Sequence, residues 1–436
     1  MLPGIPWNRL KRPLKRLIIL WSLVRAQHGL PVLLALRRQQ SPAHVNRPQR
    51  VKLHQCATRW GMGRARLDVC FDPSRKAKRR MNAAGPLQLR SPNARGQALV
   101  SCGIEEIWRC PRCKGALSRQ DGRLQCVECR HAYEEIDGIP DLRVPGDSWI
   151  DFSEDSAMAR ELVALNLPLE ELVRSVYSRR ADWDEARIGL RTSQVLSSPA
   201  RLAEDVAGWL RPAMDTGVFL DLGCGSGVLL AAAAKGGYSS IGLGIDVSMT
   251  WLVVAKRLIL AYGGTPVLAA ALGESLPLDD SVLDGVISLD VIEHVNHQDV
   301  YLKEIDRVTA TGGALALSMP NRFSLTPEPH VFVWGVGWLP RAYQARFVHW
   351  RSGKSYDGTV LLSSFDLRRR LKRCSSFNFE ILIPPVPASH IKLFSATKAR
   401  VAEIYNTLCS NLGFRGLFLL VGPYFRVLGY KRDATN

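Results

Sequence analysis

The sequence predicts an α/β protein built on a doubly wound sheet, with a small cysteine-bearing module ahead of it. Three observations predict it. Val218-Phe-Leu-Asp-Leu222 is a short apolar strand that runs into Gly223-Cys-Gly-Ser-Gly227 and then an alanine- and leucine-rich helix reaching Ala234. Strand-like and helix-like segments continue to alternate as far as Ser324. Upstream, Cys110-Pro-Arg-Cys113 and Cys126-Val-Glu-Cys129 stand twelve residues apart, the spacing of a metal ribbon.

The chain has 436 residues, room for two or three domains, and its 46% apolar content excludes wholesale disorder. Its net charge of +18 is confined to one end. Residues 1–104 hold 21 Lys and Arg against two acids, Asp68 and Asp72, whereas the remainder holds 37 basic and 38 acidic residues. Residues 1–104 are therefore expected to be a basic, disordered leader. Leu14 to Arg38 is apolar enough for a basic amphipathic helix on an anionic surface. Arg25, His28 and Pro31 interrupt it too early for a membrane span, and no small-residue cleavage site marks a secretory signal. A translation start at Met81 is the competing reading. No secretory feature argues against a cytoplasmic location, and no transmembrane segment is expected.

Residues 105–145 are expected to be a zinc ribbon. A two-residue gap lets both thiolates of a knuckle reach one ion, and the spacer suffices for a hairpin, with Gly115 and Asp121-Gly122 as turns. Cys110, Cys113, Cys126 and Cys129 close a tetrahedron without a position for water, which implies a structural Zn2+; two disulfides are the rival, and His131 a substitute ligand. The segment from Trp108 to about Leu142, closing on Asp137-Gly-Ile-Pro-Asp141, resembles the small zinc-ribbon proteins and domains that accompany many methyltransferases.

Residues 146–215 read as a helical connector or lid, with Pro168 to Tyr177 one helix and Arg201 to Leu210 another, stopped before Pro212. Tyr177 and Trp183 either line a pocket or pack on the sheet.

Residues 216–436 form the main domain. The glycine turn is Asp-x-Gly-x-Gly-x-Gly, and Val228 stands where a dinucleotide fingerprint has its third glycine. Asp221 before it suits a cationic amino-acid ligand better than a pyrophosphate. Strand two, Ser240 to Ile245, ends at Asp246, 25 residues after Asp221, where an acid can accept both hydroxyls of a ribose. Val267 to Ala271 and Asp284 to Asp290 read as strands three and four. A helix at Tyr301 to Val308, a turn at Gly312-Gly313 and strand five at Ala314 to Ser318 follow.

LDLGCGSG, GIDVS, GESLPLDDSVLDGVISLDVIEHV and YLKEIDRVTATGGALALSMPNRF occur in order over Val218 to about Ser324. This series resembles the Rossmann-like S-adenosylmethionine-dependent methyltransferases, particularly the methyltransferase type 11 group of ubiquinone and menaquinone biosynthesis. The resemblance implies a seven-stranded sheet whose last strand is antiparallel, with Phe377 to Ile383 and Pro423 to Gly429 as its last two strands and a helical stretch, Ile391 to Leu412, between them. It implies that Asp221, Gly223, Gly225 and Gly227 surround the methionine part of S-adenosylmethionine and Asp246 the ribose. It places Glu274, Ser275 and Leu276 at the adenine and Asp290 near the sulfonium. Gly227 and Leu276 can also be read as packing residues.

Methyl transfer to a neutral hydroxyl also needs a proton acceptor. His294, with Glu293, is the candidate, since both follow Asp290 closely enough to share its face if a helix begins there. An insert of about 321–365 carries Trp334, Trp338, Tyr343 and Trp350 with Arg341 and Arg346, and is expected to cover the acceptor pocket or to form plain core. The preferred reading is O-methylation of a small-molecule, lipid-linked or saccharide-linked acceptor. Methylation of rRNA or tRNA is the alternative, although no Asn/Asp-Pro-Pro-aromatic motif follows strand four. A non-catalytic zinc-ribbon adaptor comes third.

Overall fold

The computed structural model describes residues 107–433 apart from 121–122, 145–149, 181–182, 216, 239, 387, 392–394 and 411. The leader 1–104, the Leu14–Arg38 helix and Met81 lie outside the described residues, as does the Asp121-Gly122 turn.

The ribbon opens with two knuckles of one design. Lys114 and Arg130, each just after the second cysteine of its knuckle, take left-handed backbone (φ 63° and 60°). In the first knuckle the Cys110 amide donates to Gly115 O and the Lys114 amide to Cys110 O; in the second, Cys126 donates to His131 O and Arg130 to Cys126 O. The tight left-handed positions are thus Lys114 and Arg130. Strands β1 (Leu117–Gln120) and β2 (Arg123–Cys126) form the expected antiparallel hairpin, and β3 (Ala132–Tyr133) joins β2. A second hairpin, β4 (Glu135–Ile136) with β5 (Ile139–Pro140), turns at Asp137 and Gly138, both at positive φ.

Helix α1 (Phe152–Leu165) starts where Asp151 accepts the Ser153 and Glu154 amides and stops at left-handed Asn166. α2 (Leu169–Ser178) follows Pro168. The next helix differs from expectation. α3 (Glu185–Ala207) runs straight through Pro199, and α4 (Arg211–Met214) has Pro212 in its first turn, so neither proline ends a helix. Pro199 removes one amide donor from the helix. Ser197 and Ser198 donate their hydroxyls to the Ser193 and Gln194 carbonyls in that turn.

The main sheet is β6 (Val218–Leu222), β7 (Ile241–Asp246), β8 (Val267–Ala270), β9 (Leu283–Leu289), β10 (Thr309–Pro320), β11 (Phe377–Leu382) and β12 (Tyr424–Lys431). Their spatial order is β11-β12-β10-β9-β6-β7-β8, parallel except for β12, which is antiparallel to both neighbours. The seven-stranded sheet with an antiparallel last strand is therefore present. β6 is buried along its whole length, as a central parallel strand covered on both faces must be. The expected turn at Gly312-Gly313 lies inside β10 instead. There the pairing with β9 shifts register between Thr309 and Ala314, making an irregularity within a strand.

Helices α5 (Val228–Lys235), α6 (Met249–Ala261) and α7 (Gln298–Val308) make the crossovers, and α8 (Arg341–Ser352) and α9 (Ser364–Cys374) follow β10. α10 (Ala388–Ile391), α11 (Ala396–Ser410) and α12 (Arg415–Val421) fill the stretch before β12. One apolar layer packs α1 to α6 on one face of the sheet. The other face shares a continuous core with the ribbon's Trp108, Leu117, Leu124 and Tyr133. Beyond β5, Asp141 bridges Ala270 in parallel and the Leu142 amide donates to Ala270 O at 2.8 Å, so the ribbon's end lies along β8. Among the described residues no helix is long and apolar enough to cross a membrane.

Candidate functional site

A cleft opens at the carboxyl ends of β6, β7 and β9, lined by Gly223, Asp246, Glu274, His294, Asn296 and Tyr301 among others. It lies where strand order reverses between β6 and β9, the position a doubly wound sheet reserves for ligands.

The glycine turn joins β6 to α5. Gly225 (φ +50°) has nothing within 4 Å of where a Cβ would stand. Its amide donates to Asp246 Oδ2 at 2.8 Å. Gly227 (φ +74°) starts α5, and a Cβ there would come within 2.8 Å of the Ala255 methyl. Its role in this fold is close packing of α5 on α6. Asp221 is fully buried below the turn, and burial with the neighbouring Asp246 carboxylate pushes its pKa up to about 8. Burial raises Asp246 too, opposed by the Ser248 and Gly225 amides.

The loop after β8 divides the expected adenine contacts. Glu274 lines the cleft and accepts from the His297 amide at 3.4 Å. Ser275 and Leu276, like Asp221, Gly225, Gly227 and Asp290, are not among the cleft-lining residues. Ser275 donates its hydroxyl to Pro111 O at 3.1 Å, and the buried Leu276 gives its amide to Glu304 Oε2 and its carbonyl to Lys114 Nζ. The ribbon holds them there. The Arg109 amide donates to Pro277 O and its guanidinium pairs with Asp279 at 2.8 Å.

Asp290 follows β9 in left-handed backbone (φ 58°), accepting from Ser318 Oγ at 2.8 Å and Tyr424 Oη at 3.4 Å. No α-helix begins there. Ile292–His294 is a single 3₁₀ turn, and α7 starts only at Gln298. Glu293 is wholly buried, whereas His294 reaches the cleft. Burial, then the neighbouring His330, lowers the His294 pKa from 6.5 to about 4, so its imidazole is neutral at ordinary pH.

The insert also departs from expectation. Trp334, Trp338, Tyr343 and Trp350 are exposed, so they are not core, and they do not line this cleft. Val331, Val333, Val336, Val348 and Tyr356 make the insert's own small core. What the insert brings to the site is His330, whose ring stands edge-on to His294 with centroids 4.7 Å apart. Tyr177 stacks on Trp183 at 5.2 Å and meets Trp251 edge-on, which is packing.

Sequence reasoning passed over Arg143 and Asp155. Arg143 is buried and pairs with Asp141 at 2.5 Å and Asp155 at 2.8 Å, and it donates to the Val247 carbonyl. Asp155 accepts from Ser248 Oγ and from the Met249 and Thr250 amides at the start of α6. The Ser248 amide in turn donates to Asp246 Oδ1 at 2.9 Å. The network therefore fixes the tip of β7 that carries Asp246. Its signal in the sequence is faint, a single Arg in an apolar stretch.

The four ribbon cysteines gather their sulfurs within 4.8 Å of one another, with Cys110–Cys129 at 3.6 Å and Cys113–Cys126 at 3.4 Å. Tetrahedral Zn–S bonds of about 2.3 Å separate sulfurs by about 3.8 Å, so the cluster fits Zn2+.

Residues 220–317 match a family described as methyltransferase domain, and residues 106–137 one described as Trm112p-like protein. The chain carries a methyltransferase domain. The chain is 30% identical over 103 residues to a ubiquinone biosynthesis O-methyltransferase of Chelativorans sp., covering 24% of this chain and 40% of that protein. It is 33% identical over 108 residues to a probable S-adenosylmethionine-dependent methyltransferase of Mycolicibacterium smegmatis, covering 25% and 40%. The chain thus spans less than half the length of these two relatives. A solved S-adenosylmethionine-dependent methyltransferase from Mesorhizobium loti aligns at 18% identity over 53% of this chain and all of that one, TM-score 0.38. A complex containing the Haloferax volcanii Trm112 methyltransferase activator aligns at 19% over 54% of this chain and 90% of that one, TM-score 0.34. At TM-scores this low the likeness supports no finer statement. S-adenosylmethionine is the methyl donor of this domain family, and the methyltransferase domain here suits it: Gly225 leaves the turn open, and Asp246 and Glu274 line the cleft at the carboxyl ends of the strands.

Proposed function

We propose that this protein transfers the methyl group of S-adenosylmethionine to a hydroxyl of a small-molecule, lipid-linked or saccharide-linked acceptor. The observation that carries the reading is His294, a neutral imidazole lining the same cleft as Gly223, Asp246 and Glu274. S-adenosylmethionine supplies an activated methyl on a sulfonium, whose departure needs no acid. Asp221 would hold the cationic amine, Asp246 the ribose hydroxyls, Glu274 the adenine edge and Asp290 the sulfonium side. Gly225, with open space where a Cβ would stand, gives the backbone its close approach.

His294 receives the acceptor hydroxyl as a hydrogen-bond acceptor and takes its proton as the oxygen bonds to the methyl carbon; the C–S electron pair stays on sulfur. Holding oxygen and methyl in line at about 3 Å is the larger part of the rate gain. With its pKa near 4, His294 works as a positioned acceptor that passes the proton on to water rather than keeping it. The ribbon's contacts at Pro277, Leu276 and Ser275 support the reading of it as a built-in brace for the methyltransferase domain.

Incubating the protein with labelled methyl donor and separate lipid, small-metabolite and RNA extracts tests the proposal. Label is expected in the lipid or metabolite fraction. Label confined to RNA overturns the acceptor class, and no transfer to any fraction overturns the activity.

A further inference from the structure

Asp246 closes β7 with both carboxylate oxygens already half engaged. Oδ1 accepts the Ser248 amide at 2.9 Å and Oδ2 the Gly225 amide at 2.8 Å. A carboxylate has about four acceptor positions, so each oxygen keeps room for another donor. That room suits two neighbouring hydroxyls, provided the carboxylate plane is held at one angle. The angle depends on the turn at Val247, Ser248 and Met249, which offers the Ser248 amide. Asp155 reaches across from α1 and grips this turn: its Oδ1 accepts from Ser248 Oγ at 2.9 Å and its Oδ2 from the Met249 amide at 2.6 Å. Arg143 holds the other side, donating Nη1 to the Val247 carbonyl at 3.0 Å and to Asp155 Oδ2 at 2.8 Å. The Arg143 side chain is 1% exposed and that of Asp155 9%, so water does not compete for these bonds. The main chain of Asp246 is tied to the same place. The Ala271 amide donates to Asp246 O at 3.0 Å, and Ala270 beside it bridges Asp141, on the segment that carries Arg143 out of the ribbon.

We propose that Arg143 and Asp155 are positioning residues for donor recognition, aiming the Asp246 carboxylate so that the site selects a ribose over a deoxyribose. The proposal rests on the reading of Asp246 as the ribose acid. It goes beyond that reading by assigning the selectivity to two residues that do not line the cleft. A small rotation of the Asp246 carboxylate would keep one hydroxyl bond and lose the other, because hydrogen bonds weaken steeply with angle. Damage to a network that only stabilised the start of α6 would weaken every ligand of the cleft alike.

The test is calorimetric titration of the full, zinc-loaded chain with S-adenosylhomocysteine and with its 2′-deoxyribose analogue. The unaltered protein should prefer the ribose form about tenfold or more, the worth of one hydrogen bond to a charged group. Asp155→Asn and Ser248→Ala should each shrink that preference to about threefold or less, with the analogue's affinity kept within about twofold. In an Asp246→Asn background neither substitution should change the preference further, because residues that act through one group are not additive. Thermal melts check folding, and Ser248→Ala leaves the Arg143–Asp155 pair intact, which keeps a folded variant in hand if Asp155→Asn unfolds. Equal losses for the two ligands, or an unchanged preference in the folded variants, overturn the proposal and leave the ribose reading standing. No ribose preference in the unaltered protein, or one that survives Asp246→Asn, overturns both.

Discussion

Lys114 Nζ donates to the carbonyl of Leu276 at 3.0 Å, joining the first cysteine knuckle to the loop that carries Glu274 into the cleft. Lys114 is exposed, and Glu304 lies beside it at 3.5 Å. The ion that would hold Cys110 and Cys113 together is therefore mechanically linked to one wall of the cleft.

Removing zinc should loosen that wall. Chelation is expected to lower the melting temperature and to weaken S-adenosylmethionine binding about tenfold or more, restored by adding Zn2+ back. Calorimetric titration before and after chelation checks this; unchanged affinity would separate the ribbon from the cleft.

Asp221 should make donor binding depend on pH. With its pKa near 8, the free protein keeps the carboxyl protonated below that value, whereas a cationic ligand favours the ionised form. Affinity should fall as pH drops from 8 towards 6, approaching tenfold per unit, with proton release on binding. The raised pKa also means that the Asp221 contribution to folding stability declines as pH rises from about 4 to 8. Titrations in buffers of different ionisation enthalpy measure the proton release, and Asp221→Asn should flatten both slopes.

His294 works the opposite way. Its folded-state value near 4 lies below the usual 6.5, so its stability contribution is present above 6.5 and lost as pH falls towards 4. At saturating substrates kcat should show no acid limb near 6.5. His294→Gln should cut kcat about 10²–10⁴-fold if the imidazole takes part in proton transfer. Near-normal turnover removes it from the mechanism.

Arg143→Ala leaves Asp155 buried against the start of α6 without its guanidinium. A loss of about 3–5 kcal/mol is expected in urea unfolding. Lysine should not rescue it, because Arg143 spreads its contacts over Asp141, Asp155, Ser156 and Val247.

The order of strands was legible because apolar runs, glycine turns and amphipathic helices are local signals, and Val218–Leu222 with Gly223–Gly227 displays all of them within a few residues. The ribbon was legible because four thiolates at that spacing suit one purpose. The helix expected from Arg201 is the end of a 23-residue helix that begins at Glu185, because one amide missing at Pro199 does not stop a helix that packs along its length. The bonds of Ser275 and Leu276 were not legible because their partners Pro111, Lys114 and Glu304 lie between 28 and 164 residues away. The Arg143–Asp155–Ser248 network and the His294–His330 pair exist only once distant segments meet. His330 offered one clue, its place after Glu328 in a Pro-Glu-Pro-His run.

The parallel bridge of Asp141 to Ala270 has a consequence for how the chain behaves in a crowded solution. β8 is the outermost strand of the main sheet, and strands so placed invite pairing with any other extended chain. Asp141 and Leu142 occupy part of that border. A protein trimmed at residue 143 would expose β8 along its full length and should self-associate through it, which makes the ribbon a guard against aggregation.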